Sequence, residues 1–323
     1  MVSAPRALVV VPTHDHPETL DLAVESALAQ TVGDLEVVIV GDGVGDDTRA
    51  VATGLCRQDR RVRFVDRPKS SGRAEQARHE VVAASPAPVI TYLGDDDLLL
   101  GDHVELMLAL LADHDFAHPY PAFLDEEGRV SVRPTDLGDP ACVAWHLRPG
   151  HNVVSLTGAA HTRALYARLP HGWRPAPPGV PSDHHMWQQI FVVPGVRLVT
   201  APRSTTIKFP AALRRGWSPA RTRATALDLA TRIRRPAFHA EWDAEVSAAV
   251  RRAAAVQHRE LSVATRRVAE LEGRAAALER ELAAMRATRT WRWHDRLARS
   301  RVLRRVLTRH RAAPAAADPA GRG

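Results

Sequence analysis

Over its first 110 residues the chain alternates short apolar runs with segments whose apolar residues recur at helical spacing. The apolar runs are Ala7–Thr13, Leu35–Val40, Val62–Val65 and Pro88–Leu93, and the helical patterns between them are Pro17–Gln30, Asp46–Arg57 and Arg73–Ala84. Short runs rich in Val, Ile and Leu are typical of strands that are buried on both faces. The pattern therefore predicts an α/β fold with a mostly parallel sheet covered by helices.

Beyond residue 111 the pattern is less regular. Strand-like pieces at Asp115–Leu124, Gly128–Arg133, Asn152–Leu156 and Gly195–Lys208 lie among Pro- and His-rich loops. Loops of this kind often contain the residues that recognise a substrate. The Pro-rich stretch at 174–181 predicts a mobile loop, and the pattern from about Ser218 onward predicts only helix.

A heptad pattern runs through this C-terminal helical part. Leu261, Val268, Ala275 and Leu282 take the a positions, Ala264, Leu271, Leu278 and Met285 take the d positions, and the spacing extends back through Gln257, Ala254 and Val250. In a parallel pair of helices the flanking positions would join Arg267 to Glu272, Arg274 to Glu279 and Glu281 to Arg286, all opposite in sign. The pattern favours a parallel homodimer through about 250–286. The alternative is one long helix packed against its own globular domain.

The positive charge is concentrated in one terminal segment. The net charge is +7, and 286–311 holds ten Arg and one acid, a local balance of +9, so the rest of the chain sums to −2. A nucleic-acid-binding surface would spread basic residues and aromatics over a folded face, so nucleic acid is not an expected partner. Arg together with Trp291 and Trp293 suits an anionic membrane surface. The alternative is a solvated or partner-bound basic helix, and 312–323 is predicted to be disordered.

The cysteine content and the lengths of the apolar runs bear on the compartment of the protein. Cys56 and Cys142 are too few for a disulfide framework, which fits a reducing compartment. Every apolar run is far shorter than the roughly twenty residues of a membrane span. We therefore expect a cytoplasmic protein that lies peripherally at the inner face of the membrane. Lys69 and Lys208 are the only lysines, an Arg bias that we attribute to genome composition.

Asp42 directly follows the second apolar run, between Gly41 and Gly43. Parallel strands end together at the carboxyl edge of a sheet, where open α/β sheets bind ligands, so this carboxylate is a candidate binding group. The glycines let a flat ring approach the backbone, and the acid can accept a hydrogen bond from a nucleobase imide N–H. The alternative is a turn before a helix that Asp46 or Asp47 caps.

Three adjacent acids, Asp95, Asp96 and Asp97, follow the fourth apolar run at the same edge. Neighbouring carboxylates raise each other's pKa unless a cation or hydrogen-bond donors offset their charge. A divalent cation, Mn²⁺ or Mg²⁺, bound partly through ligand phosphates is therefore expected. The alternative is an acidic start to the helix near Asp102, for which one acid would suffice. Arg73 opens the third helical pattern near this edge, where a guanidinium suits a diphosphate or a base carbonyl.

Four motifs occur in order along the chain: Val10-Val-Pro-Thr13, Gly41-Asp-Gly43, Gly72-Arg73 through Ala77-Arg78-His79, and Tyr92-Leu-Gly-Asp-Asp-Asp97. They resemble the N-terminal motifs of family 2 glycosyltransferases, which have the GT-A fold, strongly over 6–110 and loosely over 110–210. The resemblance implies that the nucleotide-sugar is bound by Thr13, largely through its backbone, by Asp42 at the base, and by Arg73 and Asp95. It implies that Asp96 and Asp97 bind the metal.

Three positions depart from the family pattern. Gly41 and Gly94 stand where the family often has acids, and His79 stands where it usually has Asn. Because the implied metal and base ligands are retained, these changes bear on substrate identity more than on activity.

A candidate catalytic base lies in the variable half. Ser182-Asp-His-His-Met-Trp187 is similar to the family motif whose Asp deprotonates the acceptor hydroxyl, which points to Asp183. A carboxylate suits inverting transfer, since it takes the proton as the hydroxyl attacks the anomeric carbon opposite the departing diphosphate. The alternative is that Asp183 caps a helix. His184 and His185 either line the acceptor site or fill the helix face.

A different metal hypothesis rests on His14 and His16. With the three acids and His184, this HxH pair would suit a metallohydrolase. Pro17 begins a helical pattern that Asp15 or His16 can cap, and no further ligand has a fixed spacing, which favours a structural role for the pair.

Together these features predict a metal-dependent, inverting glycosyltransferase that moves a sugar from a UDP- or dTDP-sugar to a hydroxyl acceptor, such as a lipid-linked glycan, in cell-envelope glycan biosynthesis. The predicted parts are a nucleotide-sugar half at 1–110, an acceptor half at 111–215, a helical extension at 216–311 and a tail at 312–323. One alternative is a nucleotidyltransferase, although this chain lacks the Gly-rich, Lys-containing loop that usually follows the first strand in that class. The other is a non-catalytic GT-A scaffold for the coiled coil.

Overall fold

The computed structural model describes residues 4–125, 127–209 and 216–299, which form two compact units, 4–255 and 256–299. The strands are β1 (Ala7–Thr13), β2 (Leu35–Asp42), β3 (Val62–Arg67), β4 (Val89–Tyr92), β5 (Leu98–Leu99), β6 (Phe116–Pro119), β7 (Ala122–Leu124), β8 (Val130–Val132), β9 (Ala160–Thr162), β10 (Leu198–Ala201) and β11 (Thr206–Ile207). The helices are α1 (Leu20–Leu28), α2 (Asp46–Gln58), α3 (Glu75–Ala84), α4 (His103–Leu110), α5 (Pro140–His146), α6 (Arg163–Tyr166), α7 (Ser182–Phe191), α8 (Pro219–Arg232), α9 (Phe238–Ala287) and α10 (Arg289–Arg299).

Seven of the described strands form one sheet in the order β10-β6-β9-β4-β1-β2-β3. β1 pairs in parallel with β2 and β4, β2 pairs in parallel with β3, and β6 pairs in parallel with β10. β9 runs antiparallel to its neighbours β4 and β6. This mostly parallel, helix-covered sheet confirms the predicted fold class.

Alternate residues of β1 point to opposite faces of the sheet. Leu8 and Val10 pack in a core that includes apolar residues of α3 and α7, whereas Val9 and Val11 pack in a core with α1 and α2. Both sets are fully buried, which explains why the strand reads as a continuous apolar run. Because helices cover both faces, the ends of the strands are where the sheet can present polar groups to a ligand.

The part of the chain beyond residue 111 differs from its sequence pattern in three places. The piece predicted at Gly195–Lys208 divides into β10 and β11, which belong to different sheets. The predicted strand at Asn152–Leu156 is wrong: the segment is irregular, and its apolar Val154 packs into the core from a loop. The piece predicted at Asp115–Leu124 divides into β6 and β7, which belong to different sheets. Pro119 and Pro121 lack the N–H that a continuous strand would need there.

The heptad region and the globular part meet within one helix. Phe238, Trp242 and Val246 of α9 are buried in the core of the first unit, and Val250 packs against the same core. Of the heptad positions before 255, Val250 therefore already has partners inside the first unit, whereas Ala254 is exposed. The helical extension predicted from 216 also begins inside this unit, and the border between the units falls at 255/256.

Part of the basic C-terminal segment lies outside the described residues. Residues 289–299 form α10, whereas 300–311 and the tail predicted at 312–323 are not among those that the structure describes. Within the described ranges, none of the helices combines the length and apolar character that crossing a bilayer requires. The membrane-surface hypothesis for 286–311 stays a prediction.

Four of the buried histidines of the first unit have a lowered pKa. Burial lowers the pKa of His103 and His161 to about 4, and that of His118 and His146 to about 3. His103, for example, has threonine hydroxyl oxygens at 3.1 and 2.8 Å from its two ring nitrogens. All four are therefore neutral in the folded protein at neutral pH.

We expect the free energy of unfolding to fall as the pH drops below about 6.5. In the unfolded chain each of these four histidines binds a proton near pH 6.5, whereas the folded state excludes the proton down to about pH 3–4. The unfolded state then holds more protons, and each histidine removes about 1.4 kcal/mol of stability per pH unit within this window. Denaturant titrations between about pH 7.5 and 5 measure the slope.

The control compares two histidines. His118→Gln removes a buried group and should reduce the slope by about one proton. His171→Gln changes an exposed histidine and should leave the slope unchanged. A free energy of unfolding that stays constant over this pH range would contradict the prediction.

Candidate active site

A cleft of about 480 Å³ opens at the carboxyl edge of the sheet, where β1, β2 and β4 end. Five of the seven residues selected from the sequence line it: Thr13, Asp42, Arg73, Asp95 and Asp183. The other two, Asp96 and Asp97, follow Asp95 in the same turn. Residues from distant parts of the chain thus meet at one hollow, because parallel strands end at one edge of the sheet.

Asp42 is held in a fixed orientation at the end of β2. Its Oδ1 accepts the Ser70 backbone N–H at 2.7 Å, and its Oδ2 accepts a hydrogen bond from Lys69 Nζ. Burial alone would raise the pKa of this carboxyl, but the Lys69 ammonium and the Ser70 donors outweigh it and lower the pKa. Gly43, at φ 69°, makes room for this contact, since a Cβ there would lie 2.8 Å from Lys69 Cα.

Both lysines of the chain lie at this site. Lys69 lines the cleft beside Asp42, and Lys208 pairs with Asp97. The interpretation of the lysine shortage as genome composition alone missed this placement. An ammonium is a compact point charge and a guanidinium a wide planar group, so the two are not interchangeable beside one carboxylate oxygen. The presence of only two lysines in an Arg-rich chain was the sequence signal that could have pointed to these two positions.

Asp97 is engaged in a buried cluster of donors. Its Oδ2 accepts hydrogen bonds from Thr157 Oγ1 and Lys208 Nζ, and its Oδ1 accepts the Phe209 N–H at 3.0 Å. Gly94 leaves space for this cluster, since a Cβ there would lie 3.0 Å from Asp97 Oδ2 and 3.2 Å from Thr157 Oγ1. A metal-binding role for Asp97 would have to compete with these three donors.

Asp95 faces the cleft and has a cationic partner. It accepts a hydrogen bond from His16 Nδ1 at 3.1 Å. This bond raises the pKa of His16 to about 9, against the opposing effect of burial. The imidazolium therefore offsets part of the negative charge of the acidic turn at neutral pH. His14, the other half of the HxH pair, instead lies 2.8 Å from the backbone oxygen of Asp42 at the end of β2. The two rings therefore contact different segments of the chain.

The donor set at the acidic turn suits one kind of metal site. Within the described parts of the chain, no three His, Cys, Asp or Glu side chains are grouped so that they could hold a metal ion. Mg²⁺ is usually held by one or two carboxylates together with waters and substrate phosphates. Asp95 at the cleft and the half-buried Asp96 beside it provide such a pair. These residues fit a hard divalent cation that binds together with a diphosphate.

The loop before α3 places Arg73 at the rim of the cleft. Arg73 is exposed, and its backbone N–H donates to Glu75 Oε2 at 2.7 Å. Ala74 adopts φ 59°, a left-handed conformation that costs a non-glycine residue of order 1–3 kcal/mol. Its N–H donates to Ser70 Oγ at 3.1 Å, which holds this conformation, and α3 begins only at Glu75. The predicted helix start at Arg73 is therefore two residues early.

Arg78 connects the two sides of the cleft, and sequence reasoning assigned it no role. It is 1% exposed, and its guanidinium lies 3.8 Å from the centre of the Trp173 ring. The Nη2 group donates to the Arg73 backbone oxygen at 2.8 Å and to Ser182 Oγ at 3.2 Å. Burial lowers its pKa to about 10, so it stays charged at neutral pH. An Arg on the apolar face of a helix was the signal that could have found it.

Asp183 lies in the first turn of α7. The N-cap of this helix is Pro181, so the capping alternative for Asp183 is wrong. Its Oδ1 accepts the backbone N–H of His184 at 2.8 Å, which orients the carboxylate. His184 is fully buried on the helix face, whereas His185 accepts a hydrogen bond from Arg174 Nε at 3.1 Å.

A larger groove of about 860 Å³ lies beside β8, α8 and the beginning of α9. All seven residues selected from the sequence are described, and none of them lines it. One of its aromatic residues, Trp217, is already covered by the Arg221 guanidinium, 3.9 Å from the ring centre. The smaller cleft, where the carboxylates converge, is therefore the candidate active site.

The N-terminal half of this site lies in a recognised domain. The family model described as Glycosyl transferase family 2 matches residues 8–139. The match covers less than half of the chain, and over these residues the chain is similar to family 2 glycosyltransferases. The match includes Thr13, Asp42, Arg73 and the acids at 95–97, and it ends before Asp183.

Curated relatives match about a third of the chain or somewhat more. An uncharacterized glycosyltransferase of Rickettsia felis is 28% identical over 123 residues, 38% of this chain and 20% of the relative. The GalNAc(5)-diNAcBac-PP-undecaprenol beta-1,3-glucosyltransferase of Campylobacter jejuni is 29% identical over 129 residues, 39% of this chain and 41% of the relative. The chondroitin synthase of Pasteurella multocida is 36% identical over 104 residues, 32% of this chain and 11% of the relative. The chain thus spans less than half the length of these relatives.

A solved structure is similar to a larger part of the chain. Residues 1–349 of S. aureus TarS in complex with UDP-GlcNAc match with a TM-score of 0.51 and 13% identity, covering 64% of this chain and 58% of that chain. At this identity the likeness concerns the fold, and it confirms the GT-A-like architecture.

Proposed function

We propose that the chain transfers a sugar from a nucleotide diphosphate-sugar to a hydroxyl acceptor, with inversion at the anomeric carbon and with Mn²⁺ or Mg²⁺. The observation on which the proposal rests is that Asp42, Asp95 and Asp183 line one cleft, and that the first two lie in the stretch matched by the family 2 model. Each carboxylate supplies what one part of this reaction needs: a hydrogen-bond acceptor for the base, a cation site for the diphosphate, and a proton acceptor for the hydroxyl.

The nucleoside end of the donor would lie against Thr13 and Asp42. Thr13 is 4% exposed, and its Oγ1 is buried at the cleft with no hydrogen-bond partner among the described residues. Leaving a buried hydroxyl unpaired is costly, so a ligand group would improve this site. Asp42 would accept the ring N–H of the base. Lys69 Nζ, already bonded to Asp42 and to the Gly72 oxygen at 3.0 Å, has a third N–H for a neighbouring base carbonyl.

The diphosphate would lie between the acidic turn and the loop before α3. Asp95 and Asp96 would hold the divalent cation, which supplies neutralisation of the charge that develops on the departing diphosphate. Arg73 adds a guanidinium at the rim, and the His16 imidazolium lies on Asp95. These two cations belong to the chain itself and would favour a dianionic leaving group.

Asp183 would act on the acceptor. As the acceptor oxygen forms its bond to the anomeric carbon, its proton passes to a carboxylate oxygen of Asp183, and the bond from the anomeric carbon to the diphosphate oxygen breaks. The products are the glycosylated acceptor with inverted configuration and the nucleoside diphosphate. Arg78 donates to both the Arg73 backbone oxygen and Ser182 Oγ. It would thereby hold the Asp183 carboxylate in a fixed position relative to the loop before α3.

The proposed acceptor class and compartment rest on analogy with one relative. The name of the Campylobacter jejuni relative specifies an undecaprenyl-diphosphate-linked glycan. By analogy we propose a lipid-linked glycan as acceptor, in cell-envelope glycan biosynthesis, at the cytoplasmic face of a membrane. Turnover of a lipid-linked acceptor compared with a water-soluble oligosaccharide would test this assignment.

Calorimetric titration of the full chain with UDP-, dTDP- and GDP-sugars, with and without Mn²⁺, tests the proposed activity. We expect a uridine or thymidine donor to bind, and to bind more tightly with Mn²⁺. The proposal fails if none of these donors binds the native protein. A nucleotidyltransferase would bind a nucleoside triphosphate instead, and a non-catalytic scaffold would bind nucleotides poorly.

Lys69→Met is expected to reduce the preference for one class of base. Uracil, thymine and guanine have a ring N–H beside a carbonyl, which matches the acceptor Asp42 and the donor Lys69. Cytosine and adenine present an unprotonated ring nitrogen at that place. Losing one charge-assisted hydrogen bond should weaken UDP binding by roughly tenfold or more, while CDP binding changes little.

The matched control is Arg57→Met, which removes an exposed cation at the end of α2. It should leave the ratio of UDP to CDP affinity unchanged. If Lys69→Met also left that ratio unchanged, Lys69 would have no role in recognising the base, even where the wild-type protein binds UDP.

A further inference from the structure

The second unit presents an apolar stripe along a continuous helix. From residue 256 to Ala287 the chain is the distal part of α9. Its larger seam residues are between 44% and 66% exposed: Leu261, Val268, Leu271, Leu278, Leu282 and Met285. Single exposed apolar residues are common on proteins, but six at heptad spacing form a contiguous patch of the kind that marks an interaction surface.

We propose that this stripe is the interface of a parallel, in-register coiled-coil homodimer, so that the occupant is a second copy of this chain. The seam runs from Leu261 to Met285, about 36 Å of helix. At its centre Val268 is at an a position and Leu271 at the next d position, the combination that favours two strands in parallel coiled coils. Ala264 and Ala275 bury little area, so the affinity should be moderate.

The charges beside the seam favour the parallel arrangement. In parallel register, Arg267 faces the partner's Glu272, Arg274 faces the partner's Glu279, and Glu281 faces the partner's Arg286. All of these residues are exposed in the single chain, where Arg267 pairs along its own helix with Glu270 at 3.0 Å. Opposite charges at these flanking positions determine which partner and which orientation a coiled coil adopts.

The antiparallel arrangement of the same seam is disfavoured by the same charges. Stacking Leu261 on the partner's Met285, and so on along the seam, brings Arg274 opposite the partner's Arg274. It also brings Glu272 opposite the partner's Glu272. Arg267 would face the partner's Glu281, but the two like-charge contacts near the centre replace opposite-charge contacts and disfavour this orientation on electrostatic grounds.

Sedimentation equilibrium of the full chain, over roughly 1–100 µM, measures the association. We expect a monomer–dimer equilibrium in this range. Leu271→Glu combined with Leu278→Glu places four charges in the seam of a dimer and should raise the dissociation constant by roughly 100-fold or more. The matched control is Val256→Glu with Val263→Glu: both valines are exposed on α9 but lie off the seam. It should leave the dissociation constant unchanged.

Two further experiments, disulfide cross-linking and a charge exchange, test the orientation. In a background in which Cys56 and Cys142 are replaced by Ser, Ala275→Cys should form an intermolecular disulfide under mild oxidation, since a positions meet their own copies only in parallel register. Arg266→Cys, on the outer face, should not. Arg274→Glu should weaken the dimer, and adding Glu279→Arg should restore it by exchanging the two charges.

A chain that is monomeric throughout this concentration range would overturn the proposal, and so would equal effects of the seam and control pairs. A dimer that does not cross-link through residue 275, or that is not restored by the charge exchange, would overturn its parallel register. None of these measurements depends on whether the first unit transfers sugar.

Discussion

Asp183→Asn is expected to leave donor binding within about twofold of wild type and to lower kcat by roughly 10²–10⁴-fold. Asn has nearly the same shape as Asp, and its side-chain oxygen can still accept the His184 N–H that orients residue 183 in the first turn of α7. The amide cannot take up the proton of the acceptor hydroxyl. Binding and turnover should therefore separate, which is the mark of a group that acts in the transition state.

Two assays measure this separation while the acceptor is unidentified. Calorimetry gives the affinity for UDP with Mn²⁺, and the release of nucleoside diphosphate from a donor sugar gives turnover with water as acceptor. The control is Asp113→Asn, which neutralises an exposed acid after α4. Unchanged turnover in Asp183→Asn would exclude Asp183 as the base. Equal losses of binding and turnover would instead assign it to the donor site.

The sequence could locate the residues that directly follow buried strands. Asp42 and Asp95 were found because each follows an apolar run, and parallel strands end at the same edge. Thr13, the last residue of its run, was implied by the family resemblance instead. This argument needs no knowledge of side-chain contacts. It places a residue at the cleft, but it cannot give the direction in which a neighbouring side chain points.

That direction depends on residues far along the chain. Asp97 belongs to the same acidic triplet as Asp95, but its partner Lys208 comes 111 residues later, and Thr157 comes 60 residues later. Arg78 was missed for a similar reason, since its partner Ser182 is 104 residues away. Periodicity reports local burial alone, which is also why the apolar loop containing Val154 was predicted as a strand.

Asp96 and Asp97 are adjacent, and the same substitution is expected to affect them in different ways. Asp96→Asn removes a proposed cation ligand, so the strengthening of donor binding by Mn²⁺ should disappear. The melting temperature of the ligand-free protein should stay within about 2 °C of wild type, as expected for a half-buried surface acid. Asp97→Asn should lower the melting temperature instead.

The size of that effect follows from the environment of Lys208. Its side chain is 18% exposed and that of Asp97 is 4% exposed, so Asp97→Asn leaves a mostly buried ammonium without its counter-charge. We expect a loss of about 3 kcal/mol, at the low end for a broken buried pair because Lys208 keeps some solvent, and a melting temperature lower by roughly 6–12 °C. Thermal denaturation with and without Mn²⁺ and UDP distinguishes the two variants.

The double variant Asp97→Asn with Lys208→Met provides the control for the buried pair. It removes both charges, so no buried charge is left unpaired and much of the lost stability should return. If Asp97→Asn abolished the Mn²⁺ effect on donor binding without changing the melting temperature, Asp97 would be the metal ligand that its motif implies. The expected loss of stability, recovered in the double variant, would instead assign Asp97 to the Lys208 pair and leave the cation to Asp95 and Asp96.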